Sequence, residues 1–318
     1  MNSDVSASNE ISVVVVTFQG VAWIEQCLNS LCTPLDGLHL IVVDNASTDG
    51  TADIVRNRFP QAQLLIQTRN LGFGCGNNVG MRAALERGSS YIFLLNQDAL
   101  VVDDALTRLR EFMAQAPEYG VCSPLHCGPD ESRIDHRTYR GYLQLHAEKY
   151  LTDACLGRVA PAYRIHGVNA AAWFIRASTL RRNGGFDPLF FMYGEDDDLL
   201  TRWQYLRVRF ALVTDCRIVH LRQSPVRPLP TYWQDVARRA ERRRSLLLSQ
   251  IKQPSFTASH MVAVWLAQGL VAPWVDFLVT RQGRDLLAAG LAAWRLATEA
   301  LRVRRHARLT ARPGEHFL

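Results

Sequence analysis

Lysine is nearly absent from this chain of 318 residues: Lys149 and Lys252 are the only two among 36 basic side chains. The seven cysteines are an odd number and include no C-x-x-C pair. This usage argues against a disulfide framework and a structural zinc site, so we expect a reducing compartment. The apolar run from Val13 to Val16 is too short for the core of a signal peptide, and we expect no segment that directs the chain across a membrane.

Several common catalytic motifs are also missing. Neither lysine is followed by Ser or Thr, which excludes the phosphate loop G-x-x-x-x-G-K-[ST]. The G-x-G-x-x-G spacing is not met by the nearest candidates, so a dinucleotide cofactor loses its main support; these candidates are Gly72, Gly74, Gly76 and Gly80. The motifs H-E-x-x-H and G-x-S-x-G are absent as well, which argues against the zinc protease and serine hydrolase classes that they mark.

The composition is that of a globular protein, but its charge is unevenly placed. Apolar residues make up 48% of the chain, and Gly and Pro together number only 33, which excludes collagen-like and disordered classes. Residues 1–200 carry 16 basic and 23 acidic side chains, whereas residues 201–318 carry 20 and 7. The acidic first part suggests carboxylates gathered around a cation, and the basic second part suggests an anionic partner, either phospholipid or nucleic acid.

Strand-like apolar runs alternate with helical patterns from residue 11 to about residue 120. The runs at 11–18, 39–45, 63–70 and 90–100 predict strands, and the helical spacing between them predicts a mostly parallel sheet flanked by helices. A helix is predicted from Asn78 to Arg87, after a glycine-rich loop. Ligands of such α/β sheets bind at the carboxyl ends of the strands, which is where Thr17, Asp44, Asn70 and Asp98 fall.

The remaining chain divides by composition. Residues 121–165 look irregular, and we interpret them as an inserted or acceptor-side region. A strand and a short helix are predicted within 168–187, a helix that opens with acids within 193–208, and one or two strands within 210–221. We therefore predict a disordered segment 1–10, one domain over 11–228 with halves 11–120 and 121–228, and a helical Arg-rich region over 229–318.

Two polar motifs follow predicted strands, and each has two interpretations. Asp44 could form a turn and cap a helix, or it could accept a hydrogen bond from a nucleobase. The triplet from Asn96 to Asp98 could simply start a loop. Alternatively, Asp98 could hold Mg²⁺ or Mn²⁺, since hard oxygen ligands suit these cations, and Asn96 could contact a ribose.

The four successive acids from Glu195 to Asp198 form a third motif. Acids in a first helical turn favour the helix dipole, which accounts for one or two of them. Four adjacent like charges repel, and offsetting that cost normally requires a cation or a proton-transfer role. His220 by default is a buried histidine, and a metal ligand is the alternative.

Taken in order, six segments closely resemble glycosyltransferase family 2, with its GT-A nucleotide-sugar fold. They are VVVVTFQG, VVDNASTDGT, NLGFGCGNNVG, FLLNQDA, GGFDPLFFMYGEDDDLLTR and IVHL. The glycine-rich loop and the NQDA strand end resemble the rhamnosyltransferase-like branch. The resemblance runs from about residue 11 to residue 222. It implies an inverting transfer of a sugar from a nucleotide diphosphate to an acceptor hydroxyl, assisted by a divalent cation.

The resemblance also implies roles for individual residues. Asp196 would be the catalytic base, and Asp98 and His220 would hold the metal, Mg²⁺ or Mn²⁺. The residues implied on the nucleotide-sugar side are Thr17, Asp44, Asn70, Gly72, Asn78 and Asn96. Those implied on the acceptor side are Trp173, Glu195 and Asp197.

Two positions depart from the family pattern. Asn96 replaces the first Asp of the D-x-D motif, which removes one negative charge beside the metal. Asn77 stands where many members have an Arg that faces the diphosphate. Charge compensation is then expected from the cation or from another Arg. Both changes recur in the rhamnosyltransferase-like branch.

The tail suggests contact with a membrane. Residues 253–275 contain no charged side chain, and residues 281–318 carry eight Arg against three acids. We favour a segment that lies in the plane of an anionic membrane. A packing tail, a homodimer interface and a true membrane span are the alternatives, and nucleic acid is not expected because exposed aromatics do not alternate with the arginines.

These features predict a metal-dependent, inverting glycosyltransferase that uses L-rhamnose from dTDP-rhamnose. The predicted acceptor is a saccharide or polyprenyl-linked saccharide of cell-surface polysaccharide synthesis. We expect the enzyme in the cytoplasm, peripheral on the cytoplasmic face of the inner membrane. The alternative is a catalytically silent nucleotide-sugar or membrane-binding module. A nucleotidyltransferase would need a basic loop after the first strand, and TFQGVAW lacks one.

Overall fold

The computed structural model describes residues 10–31, 37–221 and 230–318. The strands in these ranges are β1 (Ile11–Thr17), β2 (Leu38–Asp44), β3 (Gln63–Ile66), β4 (Tyr91–Asn96), β5 (Ala99–Val101), β6 (Val121–Cys127), β7 (Ala162–Ile165), β8 (Ala172–Arg176) and β9 (Phe210–His220). Most of the predicted segment 1–10 and the predicted boundary at 228/229 lie outside the described residues.

Helices cover both faces of the sheet and make up the described C-terminal region. In the first part of the chain they are α1 (Ile24–Asn29), α2 (Thr51–Arg58), α3 (Phe73–Arg87), α4 (Ala105–Gln115), α5 (His136–Thr138), the π-helical segment π1 (Tyr139–Leu143), α6 (Gln144–His146), α7 (Glu148–Cys155), α8 (Ala177–Asn183) and α9 (Glu195–Tyr205). After the second gap they are α10 (Tyr232–Ile251), α11 (Ala258–Val264), the π-helical segment π2 (Trp265–Val271), α12 (Ala272–Thr280), α13 (Gly283–Thr298) and α14 (Ala300–Thr310).

The strands form one sheet in the order β3-β2-β1-β4-β8-β6-β9-β5, and β7 pairs with β9. The first four strands in this order are parallel, which confirms the parallel sheet predicted for the first part of the chain. Beyond β4 the sheet is mixed, because β8 runs antiparallel to both β4 and β6 while β6 and β9 are parallel. The predicted α/β class is confirmed.

Alternate side chains of β1 enter two separate cores. Val13 and Val15 pack on one face of the sheet with α1 and α4, and Val14 packs on the other with α3 and α9. All three valines are fully buried. A strand that is apolar on both faces is expected in a parallel sheet covered on both sides.

The prediction of an irregular region over 121–165 is wrong, because this region contains β6, the helical elements α5, π1, α6 and α7, and β7. Residues Val121–Cys127 form β6, which lies between β8 and β9 in the sheet. Pro124 concealed this strand, because Pro is rare in central strands. The register to β9 shifts between Pro124 and Leu125, and such an irregularity is one of the places where a strand accommodates Pro.

The glycine-rich loop predicted before Asn78 is the first turn of α3, which begins at Phe73. A Cβ at Gly76 would lie 2.7 Å from the Cγ1 of Val16. The absence of a side chain therefore lets α3 approach β1 closely, beside the carboxyl end of that strand.

The C-terminal helices pack against the rest of the molecule. Leu189 and Phe190 share a buried cluster with Leu247, Leu248 and Ile251 of α10. Near the chain end, the Gly185 amide donates a hydrogen bond to the carbonyl oxygen of His316 at 2.9 Å. The described part of the basic region is thus attached to the sheet domain both through α10 and near the chain end.

Candidate active site

The carboxyl ends of β1, β2 and β4 bring three of the predicted site residues together. In the strand register, Thr17 lies opposite Asp44, and Val16 lies opposite Asn96. The position agrees with the general rule that parallel α/β sheets bind ligands at this edge.

Asp44 forms the turn of the first interpretation offered by the sequence, and one of its oxygens is left for a ligand. Its Oδ2 accepts a hydrogen bond from the Ser47 amide at 3.0 Å, as in an Asx turn. Its Oδ1 is buried and has no hydrogen-bond partner among the residues that the structure describes. Because a buried acceptor without a partner is costly, this oxygen is suited to accept a hydrogen bond from a ligand.

The hydroxyl of Thr17 is already engaged. It donates to Gln97 Oε1 at 2.6 Å, and the same oxygen accepts from the Phe18 amide at 3.0 Å. The Gln97 side-chain amide in turn donates to the Phe18 carbonyl at 3.3 Å. Thr17 and Gln97 therefore hold together the chain segments that follow β1 and β4. The sequence analysis did not include Gln97 in the site.

Asn70 and Gly72 shape the loop before α3. Asn70 Oδ1 accepts from the Gly72 amide at 2.8 Å, and the Gly72 carbonyl accepts from Asn45 Nδ2 at 3.1 Å. Gly72 has φ +81°, and a Cβ there would collide with the carbonyl oxygen of Phe191. Only glycine fits this position without strain, so the loop is held close to the segment that precedes α9.

Asn78 lies behind the loop and is engaged with the backbone. Its Nδ2 donates to the Phe186 carbonyl at 2.7 Å, and its Oδ1 accepts from the Phe186 amide at 2.9 Å. Because the side chain is buried and uses both ends, it positions the segment after α8 and does not face a ligand.

Trp173 also lies away from any surface. It is fully buried, its ring stacks on Phe186 at a centroid distance of 6.1 Å, and its indole nitrogen donates to the Val168 carbonyl at 3.0 Å. This position corrects the prediction that Trp173 contacts an acceptor. The sequence pattern of β8 did not reveal that Trp173 is buried, because an aromatic residue next to a strand end is compatible with either a core or a binding role.

Asp98 and His220 meet at the end of the sheet. The Oδ1 atom of Asp98 lies 3.3 Å from Nε2 of His220, and His220 is 2% exposed. The contact arises because β5 pairs with β9, which sets Ala99 opposite His220. The Nδ1 atom of His220 is buried and has no hydrogen-bond partner within the described part of the chain.

The donor types of Asp98 and His220 fit a divalent cation. A carboxylate oxygen and an imidazole nitrogen this close can bind one ion, with the remaining ligands supplied by diphosphate oxygens and water. Among the described residues, no group of three or more His, Cys, Asp or Glu side chains forms a complete metal site. A cation here would therefore depend on the substrate for most of its ligands.

A cavity of about 350 Å³ opens beside these residues. Its wall includes residues predicted for the nucleotide-sugar, the metal, the base and the acceptor, namely Asn96, His220, Asp196, Glu195 and Asp197. The cavity is also lined by residues that the sequence analysis did not identify, namely Phe73, Arg137, Tyr142, Asn169, Tyr193, Arg242 and Leu246. The structure thus brings the acidic start of α9 and the end of β9 to one cavity.

Two of the acids at the start of α9, Glu195 and Asp196, hold protons more tightly than usual. Burial, followed by the charge of Asp197, raises the pKa of Asp196 to about 6. Burial, followed by the charge of Asp196, raises the pKa of Glu195 to about 8. The hydroxyl of Tyr142 lies 3.2 Å from both Asp196 Oδ2 and Asp197 Oδ1, and its hydrogen bond favours the ionised form of Asp196. A carboxylate tuned in this way can accept a proton near neutral pH.

The fourth acid, Asp198, belongs to a buried ionic network. Its two oxygens lie 2.8 Å from Arg202 Nε and 2.7 Å from Lys252 Nζ, and Lys252 also lies 2.9 Å from Asp187 Oδ2. His306 contacts the other Asp187 oxygen at 2.8 Å. The hydrogen bond from His306 and the charge of Lys252 hold the pKa of Asp187 well below its usual range, although burial opposes them. Asp198 therefore anchors α9 to the C-terminal region.

Three residues that the sequence analysis did not identify lie outside every quoted motif. Tyr142 comes from the region interpreted as irregular, and Arg242 and Lys252 come from the basic tail. None belongs to a motif, so their proximity to α9 depends on tertiary packing. The rarity of lysine was the one available signal for Lys252.

Comparison with solved structures identifies the fold. The chain aligns with the crystal structure of Staphylococcus aureus TarS residues 1–349 at a TM-score of 0.55 and 15% identity, covering 95% of this chain and 88% of that one. It aligns with a mannosyltransferase from Pyrobaculum calidifontis, solved in complex with GDP-Man and Mn²⁺, at 0.54 and 21%, covering 98% and 88%. The fold is that of the GT-A glycosyltransferases.

The sequence then fixes the family. A model described as glycosyl transferase family 2 matches residues 12–178, which is more than half of the chain. The chain belongs to this family, and it is a glycosyltransferase.

Two relatives from Mycobacterium tuberculosis are similar to this chain in sequence. The chain is 27% identical over 212 residues to N-acetylglucosaminyl-diphospho-decaprenol L-rhamnosyltransferase, which covers 59% of this chain and 68% of the relative. It is 29% identical over 190 residues to galactofuranosyltransferase GlfT1, with coverages of 57% and 60%. The similarity to the rhamnosyltransferase, together with the family match, supports the predicted rhamnosyltransferase-like affiliation.

Proposed function

We propose that this chain transfers L-rhamnose from dTDP-rhamnose, with inversion and with a divalent cation, to a saccharide or polyprenyl-linked saccharide acceptor. The observation that carries the proposal is that Asp196 and His220 line the same cavity. A proton acceptor and a candidate metal ligand thereby face one space, as a direct displacement requires. The rhamnosyltransferase relative supports the choice of sugar. Its name includes a diphospho-decaprenol acceptor, which supports a lipid-linked acceptor here.

On the donor side, the chain offers hydrogen-bonding groups for the nucleotide. Asp44 Oδ1 and Asn96 Oδ1 are buried acceptors that no described residue contacts by a hydrogen bond, and they lie at the ends of β2 and β4. We assign Asp44 to the base and Asn96 to the ribose. Asn70 and Gly72 act by holding the loop, and Thr17 acts through Gln97.

The metal assignment rests on Asp98 and His220. When bound, Mg²⁺ or Mn²⁺ would stabilise the charge that develops on the leaving diphosphate. Asn96 stands where a second carboxylate would add charge, so the imidazole of His220 and oxygens of the substrate would have to supply the other ligands of the cation.

On the acceptor side, Asp196 takes the proton of the attacking hydroxyl. Tyr142 donates a hydrogen bond that keeps Asp196 in the correct orientation and lowers its affinity for a proton. Asp197 and Glu195 lie on the same cavity and are assigned to the acceptor. Because the base is a carboxylate on the acceptor side, the sugar is transferred in one displacement and no covalent intermediate on the protein is required.

The tail supports attachment to an anionic membrane. One helical stretch, Ala258–Thr280, is long and apolar enough to cross a membrane, and only 11% of its most apolar window is buried. A second cavity of about 940 Å³ adjoins the start of this stretch. The described residues that line it include Arg304, Arg305, Arg308 and Arg312 and no acidic side chain. Exposed apolar side chains beside clustered arginines suit a segment that lies in the membrane plane. We propose that the enzyme is peripheral on the cytoplasmic face of the inner membrane, with a second copy of the chain as the alternative occupant of the apolar face.

A thermal stability screen tests the donor. Ligands that bind only the folded state raise the melting temperature by mass action. With manganese present, dTDP is expected to give a larger shift than UDP or GDP at equal concentration. A clearly larger shift with UDP would contradict the assignment to rhamnose, and donor turnover without release of nucleotide diphosphate would contradict the transfer reaction.

A further inference from the structure

The largest group of basic side chains near the catalytic cavity lies on one face of α10. Arg239, Arg242 and Arg243 are spaced three and four residues apart, so their side chains project to the same side of the helix. Together with α13 and π2 they surround a separate cavity of about 400 Å³. This volume lies in the range of small-molecule binding sites.

The charges that face this cavity sum to an excess of positive charge. Its acidic lining residue is Asp285, which lies 3.0 Å from Arg239. Arg239 is also 2.9 Å from Asp235 and is therefore already neutralised. Arg243 lies 3.9 Å from Asp276, a distance that leaves its guanidinium largely available to a ligand. For Arg242, no acidic partner occurs among residues 10–31, 37–221 and 230–318, and its guanidinium lies 5.3 Å from the ring centroid of Tyr193.

The cavity adjoins both the catalytic cavity and the apolar stretch. Arg242 and Leu246 line this cavity and the catalytic cavity alike. On the other side, Gln268 and Gly269 belong to π2, within the exposed apolar stretch Ala258–Thr280. A ligand that fits this cavity would therefore need three parts: an anionic group for the arginines, an apolar part toward π2, and a part that extends into the catalytic cavity toward Asp196.

We propose that the cavity between α10, α13 and π2 binds the diphosphate of a lipid-linked acceptor, with Arg242 and Arg243 as its principal donors. This inference rests on the proposed transfer to a saccharide carried by a lipid. Guanidinium groups bind phosphate oxygens through paired, charge-assisted hydrogen bonds. The shared wall formed by Arg242 and Leu246 then directs the saccharide of the same molecule into the catalytic cavity.

The test measures binding without catalysis. Farnesyl diphosphate is titrated into the full chain by calorimetry in the presence of EDTA, which prevents metal-assisted binding at Asp98. Farnesol, inorganic pyrophosphate and phosphatidylglycerol vesicles are the comparison ligands. We expect farnesyl diphosphate to bind at least tenfold more tightly than farnesol or pyrophosphate, because neither of these offers both an apolar chain and a diphosphate.

Two kinds of variant locate the binding site. Arg243→Gln, alone and combined with Arg242→Gln, removes donors and should weaken farnesyl diphosphate binding at least tenfold. Gln268→Trp fills the mouth of the cavity without a change of charge and should have a similar effect. Arg238→Gln is the matched control, since Arg238 is exposed on the same helix and does not line the cavity.

Four results would overturn the proposal. Unchanged affinity in the Arg243→Gln and Gln268→Trp variants would remove the cavity from the binding site. An equal loss in Arg238→Gln would show attraction by overall charge. Competition by phosphatidylglycerol vesicles through the same arginines, at equal lipid phosphate, would make the cavity a site for membrane headgroups. Transfer to a saccharide without lipid, in a chain that does not bind farnesyl diphosphate, would retain the proposed function and reject only this inference.

Discussion

Lys252 Nζ lies 2.7 Å from Asp198 Oδ1, which ties the end of α10 to the helix that presents Asp196. Both side chains are almost completely buried. The same lysine reaches Asp187, which precedes the segment packed on α10. The catalytic helix and the basic C-terminal region are therefore coupled through charges that have no access to water.

Replacement of Lys252 by Met should destabilise the protein strongly. The change leaves Asp187 and Asp198 as buried carboxylates with less compensation, and loss of one partner from a buried ion pair costs about 3–5 kcal/mol. Urea unfolding measures the effect. Lys149→Met is the control, because Lys149 is exposed and its loss should change the free energy of unfolding by less than about 0.5 kcal/mol. Equal stability of the two variants would show that the network contributes little.

Replacement of Tyr142 by Phe should move the acidic limb of the pH profile. Asp196 must be ionised to accept a proton, so kcat/KM should fall as the pH drops below about 6. The Tyr142 hydroxyl favours the ionised carboxylate, and its removal raises the pKa of Asp196, which shifts the limb to higher pH. Tyr139→Phe on the same π-helical segment should leave the limb in place. A limb that is identical in Tyr142→Phe and the parent enzyme would argue that the hydroxyl does not act on the base.

Replacement of Asp98 by Asn should raise the manganese concentration needed for donor binding by about tenfold or more. The variant keeps the shape of the side chain and removes the charge that a hard cation prefers. His220→Ala should shift the titration in the same direction by a smaller amount. Asp103→Asn, on an exposed residue nearby, should titrate as the parent does. If Asp98→Asn and the parent have the same manganese dependence, the cation binds elsewhere.

The apolar stretch should determine binding to vesicles. The double variant Leu266→Ser and Trp274→Ser removes two exposed apolar side chains, and sedimentation with anionic vesicles should fall. Binding of the parent should also weaken as salt increases, because each basic residue near an anionic surface contributes about 1 kcal/mol before screening. Leu156→Ser, at another exposed position, is the control. Equal retention on neutral and anionic vesicles would contradict a role for the arginines, and a dimer that dissociates in the double variant would reassign the face to self-association.

The sequence predicted the parts of the molecule that local pattern determines. Buried valine runs mark β1 and β2 because a strand covered on both faces is apolar throughout. Asp44 and Asp98 could be placed at the same edge because they directly follow such strands. Pro124 and Trp173 were misread because the effect of each depends on neighbours far along the chain, β9 for the first and Phe186 for the second. Lys252 and Arg242 could not be placed at all, since the packing of α10 on the sheet domain leaves no periodic signal.

Turnover of the Asn variants at positions 196 and 197 tests the central claim most directly. Asn at position 196 keeps the side-chain volume but cannot accept a proton, so turnover should fall about 100-fold or more while donor affinity changes little. Asp197→Asn should retain most of its turnover, because Asp197 is the more exposed carboxylate and is assigned to acceptor contact. Near-normal turnover in Asp196→Asn, together with a folded but inactive Asp197→Asn, would contradict the assignment of Asp196 as the base.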